Sequence, residues 1–278
     1  MVIQKINTTL DLISRDVLIL NEPYILNIEE RGVSFEFYLN LLDKSDQLTV
    51  MSSGAVNRDK IKPPVFHRHS WAEEINCSTI YINDPTLYLG PLNIGWGQGV
   101  ENHFYIESIA KILKKLSSLL NIEEKNIYFY GSSCGGFISL YLSAYFKSST
   151  AIVNNPQTNV MNYYMSHVNK LLELSYNGLS KEEIRTKYAT RLSIIDYYKS
   201  IDYVPNIIYY QNLSCQHDVL NHLTPFIHQI NELSGKVNGT NVIRYHFYQD
   251  QELGHNPLSK ETTLEYLNTI LTNRSNAL

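Results

Sequence analysis

The apolar positions of this chain change period along its length. Residues 33–41 (VSFEFYLNL) alternate and are rich in aromatics, and residues 48–51 (LTVM) and 78–82 are short β-prone runs. These predict the opening strands of a sheet. Residues 106–120 instead repeat apolar side chains at helical spacing, and residues 126–130 (NIYFY) form a strand that stops at Gly131. A helix begins near Gly135, with Phe137, Leu140, Tyr141 and Ala144 on one face, before a short buried strand at 151–153. This is a βαβ unit. Residues 160–175 and 181–198 read as helical, and strand character resumes only at 206–211 (NIIYYQ). Helix 220–233, strand 242–248 and helix 260–271 follow, the last opened by Ser259 as N-cap. The alternation predicts an α/β fold with a mainly parallel sheet covered on both faces, and 160–198 as a helical cap.

Between strand 126–130 and the helix at Gly135 lies Gly131-Ser132-Ser133-Cys134-Gly135, a G-x-S-x-G match. A tight strand-to-helix turn holds such a serine in a strained backbone conformation, and small residues two positions away keep neighbouring backbone from colliding. The turn sets Ser133 at a helix N-terminus, where the dipole favours developing negative charge. Neither a Walker loop nor a G-x-G-x-x-G fingerprint is present. Cys134 is an alternative nucleophile, but the residue after an elbow serine ordinarily contributes only its N–H, here to an oxyanion hole.

Serine needs a base and an orienting acid, which in this kind of fold follow it in the order acid, then histidine. Asp218 follows strand 206–211 and His255 follows strand 242–248, both at the carboxyl edge where ligands collect. Asp250 and Glu252 remain rivals for the acid. Gly54 or Ala55, just after strand 48–51, offers a second oxyanion N–H.

Three segments resemble the bacterial capsular-polysaccharide O-acetyltransferases of the α/β-hydrolase fold. They are YGSSCGGFISLYL with IVNNPQTNVMNYY, QNLSCQHDVLNHL, and QELGHNPLSKETTLEYLNTI. The resemblance covers the C-terminal half and implies an α/β-hydrolase-like three-layer sandwich, one domain over 1–278, with Ser133 as nucleophile, Asp218 as acid and His255 as base. It also implies acetyl-CoA as donor co-substrate, no bound cofactor, a polysaccharide or oligosaccharide acceptor, and peripheral association with a capsule assembly complex. Cys134 stands where the family is expected to carry lysine. The tracts Asp84-Pro85-Thr86 and Gly95-Trp96-Gly97-Gln98-Gly99 are similar to segments of related capsule-biosynthesis proteins. An esterase with the same triad and a catalytically silent scaffold are the alternatives.

Composition narrows the picture further. A net charge of −4 gives no general attraction to nucleic acid. No apolar run is long enough to span a bilayer, and the first twenty residues lack a signal-peptide pattern, so a cytoplasmic location is expected. The cysteines Cys77, Cys134 and Cys215 fit neither a disulfide framework nor a CxxC site. His67-Arg68-His69 lacks neighbouring ligands, and no metal is expected. Arg58, Lys60, Lys62 and Arg68 form a basic cluster, read as either a solvated loop or a phosphate site. Trp96, Asn155 and Gln157 are candidate substrate contacts, with core packing and helix capping as the plainer readings.

Overall fold

The computed structural model describes residues 3–233 and 241–273. Nine strands form one sheet: β1 (Gln4–Thr9), β2 (Tyr24–Glu30), β3 (Val33–Asn40), β4 (Leu48–Ser52), β5 (Ser78–Ile82), β6 (Ile127–Ser132), β7 (Thr150–Asn154), β8 (Asn206–Asn212) and β9 (Ile243–Tyr248). Their order is β1-β2-β3-β5-β4-β6-β7-β8-β9. Only β2 with β3 and β3 with β5 run antiparallel. From β5 across to β9 every pair is parallel. The chain crosses from β4 to β5 on one side and returns to β6 on the other, so the boundary between β4 and β6 is the switch point at which ligands collect in sheets of this kind.

Strand alternation divides the core between the two faces. Leu48, Val50, Ile80, Ile82, Ile127, Phe129, Ile207 and Tyr209 pack on one face. Met51, Tyr81, Tyr128, Tyr130, Ile208 and Tyr210 pack on the other. Both faces are buried because helices cover each, which makes the architecture the expected three-layer α/β sandwich. The first face carries α1 (Tyr105–Leu119) and α2 (Cys134–Tyr145), and the helices after β7 extend it: α3 (Met165–Ser175), α4 (Lys181–Lys187), α5 (Ala189–Leu192) and α6 (Ile194–Ile201). A short α7 (Gln216–Asp218) leads through a π-helical turn at Val219–Leu223 into α8 (Thr224–Leu233), also on this face. Helix α9 (Lys260–Thr272) covers the second face, its N-terminus capped by Ser259 as expected. No helix among the described residues is long and apolar enough to cross a membrane.

Three local expectations change. Strands β1 and β2 were not anticipated: β1 (QKINTT) is a polar edge strand, whereas β2 buries Tyr24, Leu26 and Ile28 alternately and did carry a period-two signal. The single helix expected over 181–198 is three, because Ser193 is extended (φ −128°) and its side chain caps α6 at the Asp196 N–H. The helix expected from residue 220 opens as the π turn.

The helical segment after β7 is part of the main core: Val168, Leu171, Tyr176, Ile184, Leu192, Ile194 and Tyr198 are buried in the cluster that holds α1 and α2. Tyr197 of α6 stacks on Tyr141 of α2, with ring centroids 3.8 Å apart and planes within 9°. Removing that ring leaves a cavity between the segment and α2. Tyr197→Ala is expected to cost about 3–5 kcal/mol in urea unfolding and to make residues 160–201 the first site of limited proteolysis. Unchanged stability and cleavage would mean that the stack does not clamp the segment.

Candidate active site

Strand β6 ends at Ser132 and α2 starts at Cys134, so Ser133 makes the whole turn. Its backbone sits at φ 54°, ψ −127°, a region that non-glycine residues rarely occupy. The flanking glycines make this possible by their lack of a side chain. A Cβ on Gly131 would lie 2.2 Å from the Gly135 carbonyl oxygen, and one on Gly135 would lie 2.6 Å from that of Ser52. Backbone bonds then lock the turn: Ser133 N–H donates to Asn154 O (3.3 Å), while Gln157 N–H donates to Ser133 O (3.0 Å).

Ser133 Oγ lies 2.8 Å from His255 Nε2, and His255 Nδ1 lies 2.6 Å from Asp218 Oδ2. Ser133 at the turn after β6, Asp218 at the end of α7 and His255 in the loop after β9 therefore form one hydrogen-bonded chain. Asp218 is almost wholly buried, while the His255 side chain is about one third exposed, 1% against 35%. With a carboxylate accepting at Nδ1, the Nδ1 proton is held there and Nε2 is free to accept from the serine hydroxyl. The rival acids are elsewhere engaged: Asp250 Oδ1 caps the turn at Leu253 N–H (2.9 Å), and Glu252 is exposed.

Cys134 is buried and its thiol points at Ser53 O (3.7 Å), with burial pushing its pKa well up, so a thiolate nucleophile is disfavoured. Its N–H belongs to the first turn of α2, whose amides lack helical partners. Gly54 does not supply the expected second donor. Its N–H donates to His67 Nδ1 (3.1 Å), and burial, aided by Arg68, lowers the His67 pKa to about 4, keeping the ring neutral and able to accept. Ala55 is exposed in the same loop.

A side-chain donor not foreseen from the sequence instead reaches the serine hydroxyl itself. Gln157 is fully buried, and its Nε2 donates to Ser133 Oγ at 3.1 Å. The orientation of its carboxamide is dictated by Trp96, whose indole N–H can only donate and does so to Gln157 Oε1. Trp96 in turn is held by its loop: Asp84 Oδ2 accepts from Gly97 N–H (2.9 Å), Asp84 Oδ1 from Thr86 N–H (2.9 Å) and Thr86 Oγ1 from Gly99 N–H (3.0 Å). The two tracts Asp84–Thr86 and Gly95–Gly99 thus clamp each other and aim Trp96. Trp96 has no exposed ring face, so of the two readings offered by the sequence, substrate contact and core packing, its place in the structure is the core.

Asn155, also fully buried, is a hub rather than a substrate contact. Its Nδ2 donates to His255 O (3.2 Å) and Asn256 O (3.1 Å), and its Oδ1 accepts from Asn212 N–H (2.7 Å). Asn212 Nδ2 donates to Gly254 O (2.9 Å), and Asn154 Oδ1 accepts from Leu258 N–H (2.7 Å). Asn212 was missed because an asparagine ending a strand carries no pattern of its own. Its signal would have been its place between strand 206–211 and the acid loop.

The basic cluster is divided. Arg58 donates to Leu87 O (2.9 Å), whereas Arg68 donates to Ser132 Oγ (2.7 Å). Among the described residues, ligand-type atoms of Cys215, Asp218 and His255 lie within 4.8 Å of one another, but the Asp218–His255 hydrogen bond already occupies two of them.

The chain matches no protein-family model and no curated relative. Its fold is similar to the capsule O-acetyltransferase of Neisseria meningitidis serogroup A, at 19% identity and TM-score 0.66, covering 88% of this chain and 96% of that one. A mutant of that enzyme in complex with CoA aligns at 18% identity and TM-score 0.66 over 89% and 94%. FphF, a fluorophosphonate-binding serine hydrolase of Staphylococcus aureus, aligns at 11% identity and TM-score 0.58 over 93% and 100%. At these identities the likeness is one of fold, and that fold is of the α/β-hydrolase type.

Gly135→Ala is expected to lower stability by about 1–3 kcal/mol, since backbone must shift to admit the methyl group, as read from the urea midpoint. A wild-type midpoint would show that the turn tolerates a Cβ. His222, which follows Asp218 and is fully buried, has its pKa lowered to about 4 by burial. The unfolded chain binds a proton there near pH 6.5, so its stabilising contribution is intact above that pH and shrinks as pH falls towards 4. The loss at pH 5 is about 2 kcal/mol, and a His222→Leu variant should show a flatter profile; an unchanged slope would contradict the assignment.

Proposed function

We propose that this protein is a serine-dependent acyltransferase that moves an acetyl group from acetyl-CoA to a hydroxyl of a bacterial capsular or other cell-surface polysaccharide. The observation that carries the reading is the continuous Ser133–His255–Asp218 hydrogen-bonded chain at a strained turn. The donor and acceptor classes are supported by the three sequence segments described above and by the fold similarity to a capsule O-acetyltransferase, one structure of which is a complex with CoA.

The chemistry follows from the atoms. His255 Nε2 takes the Ser133 proton as Oγ attacks the thioester carbonyl, and Asp218 balances the imidazolium that forms. Cys134 N–H and the Gln157 carboxamide, directed by Trp96, receive the negative charge on the carbonyl oxygen. Collapse releases the thiol, to which His255 returns the proton, and leaves acetyl-Ser133. A sugar hydroxyl, deprotonated by His255, then attacks the ester and regenerates the serine. Residues 160–198 border this site through Tyr163, whose ring lies 6.5 Å from that of His255 and 5.7 Å from that of Trp96. In this reading the chain is one domain and that segment is the cap that shapes the acceptor groove.

A water molecule attacking acetyl-Ser133 would make the protein an esterase, a reading favoured by the fold similarity to a serine hydrolase. Incubation with isotopically labelled acetyl-CoA, with and without polysaccharide, separates the two by mass spectrometry. Label on Ser133 that passes to sugar is expected. Release as acetate regardless of sugar would identify an esterase, and no label beyond that of Ser133→Ala would contradict acyl transfer from this donor. Gln157→Leu should lower the acylation rate about 100-fold or more. Trp96→Phe, which keeps the ring but removes the N–H, should lower it less; equal wild-type rates in both would remove Gln157 from the mechanism.

A further inference from the structure

Arg68 is a cation placed against the residue that precedes the nucleophile. Its backbone is left-handed (φ 68°), and its guanidinium lies over the Trp71 ring at 5.4 Å and the Tyr130 ring at 5.3 Å. Nη2 donates to Ser132 Oγ at 2.7 Å. A guanidinium has five N–H donors in a planar fork, and aromatic faces satisfy its charge in part while accepting few of those protons. Among the described residues Arg68 forms no ion pair. Other arginines spend their donors on backbone: Arg58 on Leu87 O, and Arg191 on Glu101 O. Arg68 is instead half-buried, fixed in direction by its contacts with Trp71, Tyr130 and Ser132, and its contact Ser132 is one residue away in sequence from the reacting serine, with donors left over.

We propose that Arg68 binds an anionic group, a carboxylate by preference, carried by the acceptor sugar. The inference rests on the acyl-transfer reading and adds that the acceptor is an acidic glycan. Carboxylates match the guanidinium fork with two parallel hydrogen bonds, a geometry that lysine cannot offer. Distance selects the acceptor over the donor. When a CoA thioester reaches Ser133, its phosphates are held off by the length of the pantetheine arm, well beyond a side chain that touches the neighbouring residue. An acceptor sugar places its hydroxyl at the acyl carbon, so substituents of the same ring come within reach of Arg68.

The test compares an oligosaccharide containing a hexuronic acid, its methyl ester and a phosphorylated neutral analogue. Binding to the full chain is followed by saturation-transfer NMR, and acetyl transfer by kcat/KM. Wild type should favour the acid over the ester by about tenfold or more. Arg68→Gln should collapse the ratio to near one, and Arg68→Lys should keep part of it. The ratio is the readout, so an overall fall in rate with the preference intact would make Arg68 a positioning residue for Ser132 and overturn the proposal. Equal binding of acid and ester by wild type, or no binding of either, would also overturn it. A higher KM for acetyl-CoA in Arg68→Gln with the acid preference unchanged would place the anion on the donor, against the proposal. Preference for the phosphorylated analogue would assign phosphate in place of carboxylate. Acid-selective binding through Arg68 without acylation of Ser133 would leave this site standing while the acyl-transfer reading fails.

Discussion

The structure turns on the backbone of a single residue. Ser133 is held at φ 54°, ψ −127°, a conformation that costs on the order of 1–3 kcal/mol and persists only where its surroundings over-determine it. Here they do so from every side. Gly131 and Gly135 allow backbone contact that a methyl group would forbid, and the amides and carbonyls of Ser133, Asn154 and Gln157 tie the turn to β7. The strain places the hydroxyl above the sheet edge at the start of α2, and its alignment with His255 depends on that.

A buried amide network joins this turn to the loops that meet it. Asn154 ends β7, the neighbour of β6, Asn155 follows it, Asn212 ends the next strand, and together they bind the backbone of the His255 loop. These amides are buried, so losing one partner would leave a buried polar group unsatisfied at about 1–3 kcal/mol. Site geometry and local stability are therefore one quantity in this region. On the other side, Asp84 and Thr86 hold the loop that aims Trp96, and Trp96 fixes the direction of Gln157. A donor-only indole thereby decides which end of a distant carboxamide faces the serine.

Much of this was legible in the chain. Period-two and helical runs located β3 to β9 and most of the helices, and the G-x-S-x-G spacing located the turn. Chain order after the turn selected Asp218 and His255, which lie in one hydrogen-bonded line with Ser133. What sequence could not convey was partnership across loops. Nothing local to Gly54 indicates that His67, thirteen residues later, takes its N–H. Nor does a tryptophan between glycines announce whether its ring meets a ligand or its N–H orients a glutamine. Strand β1 was invisible because an edge strand with one partner needs little apolar alternation.

The central claim, that this turn and its imidazole make an activated serine, is tested most directly by a fluorophosphonate probe, which reacts with activated serines and not with ordinary ones. Tandem mass spectrometry of the labelled wild-type protein should find the phosphonate on Ser133, with the labelling rate cut about 1,000-fold or more in a His255→Ala variant. Label on another residue, or a rate indifferent to loss of the imidazole, would contradict the account.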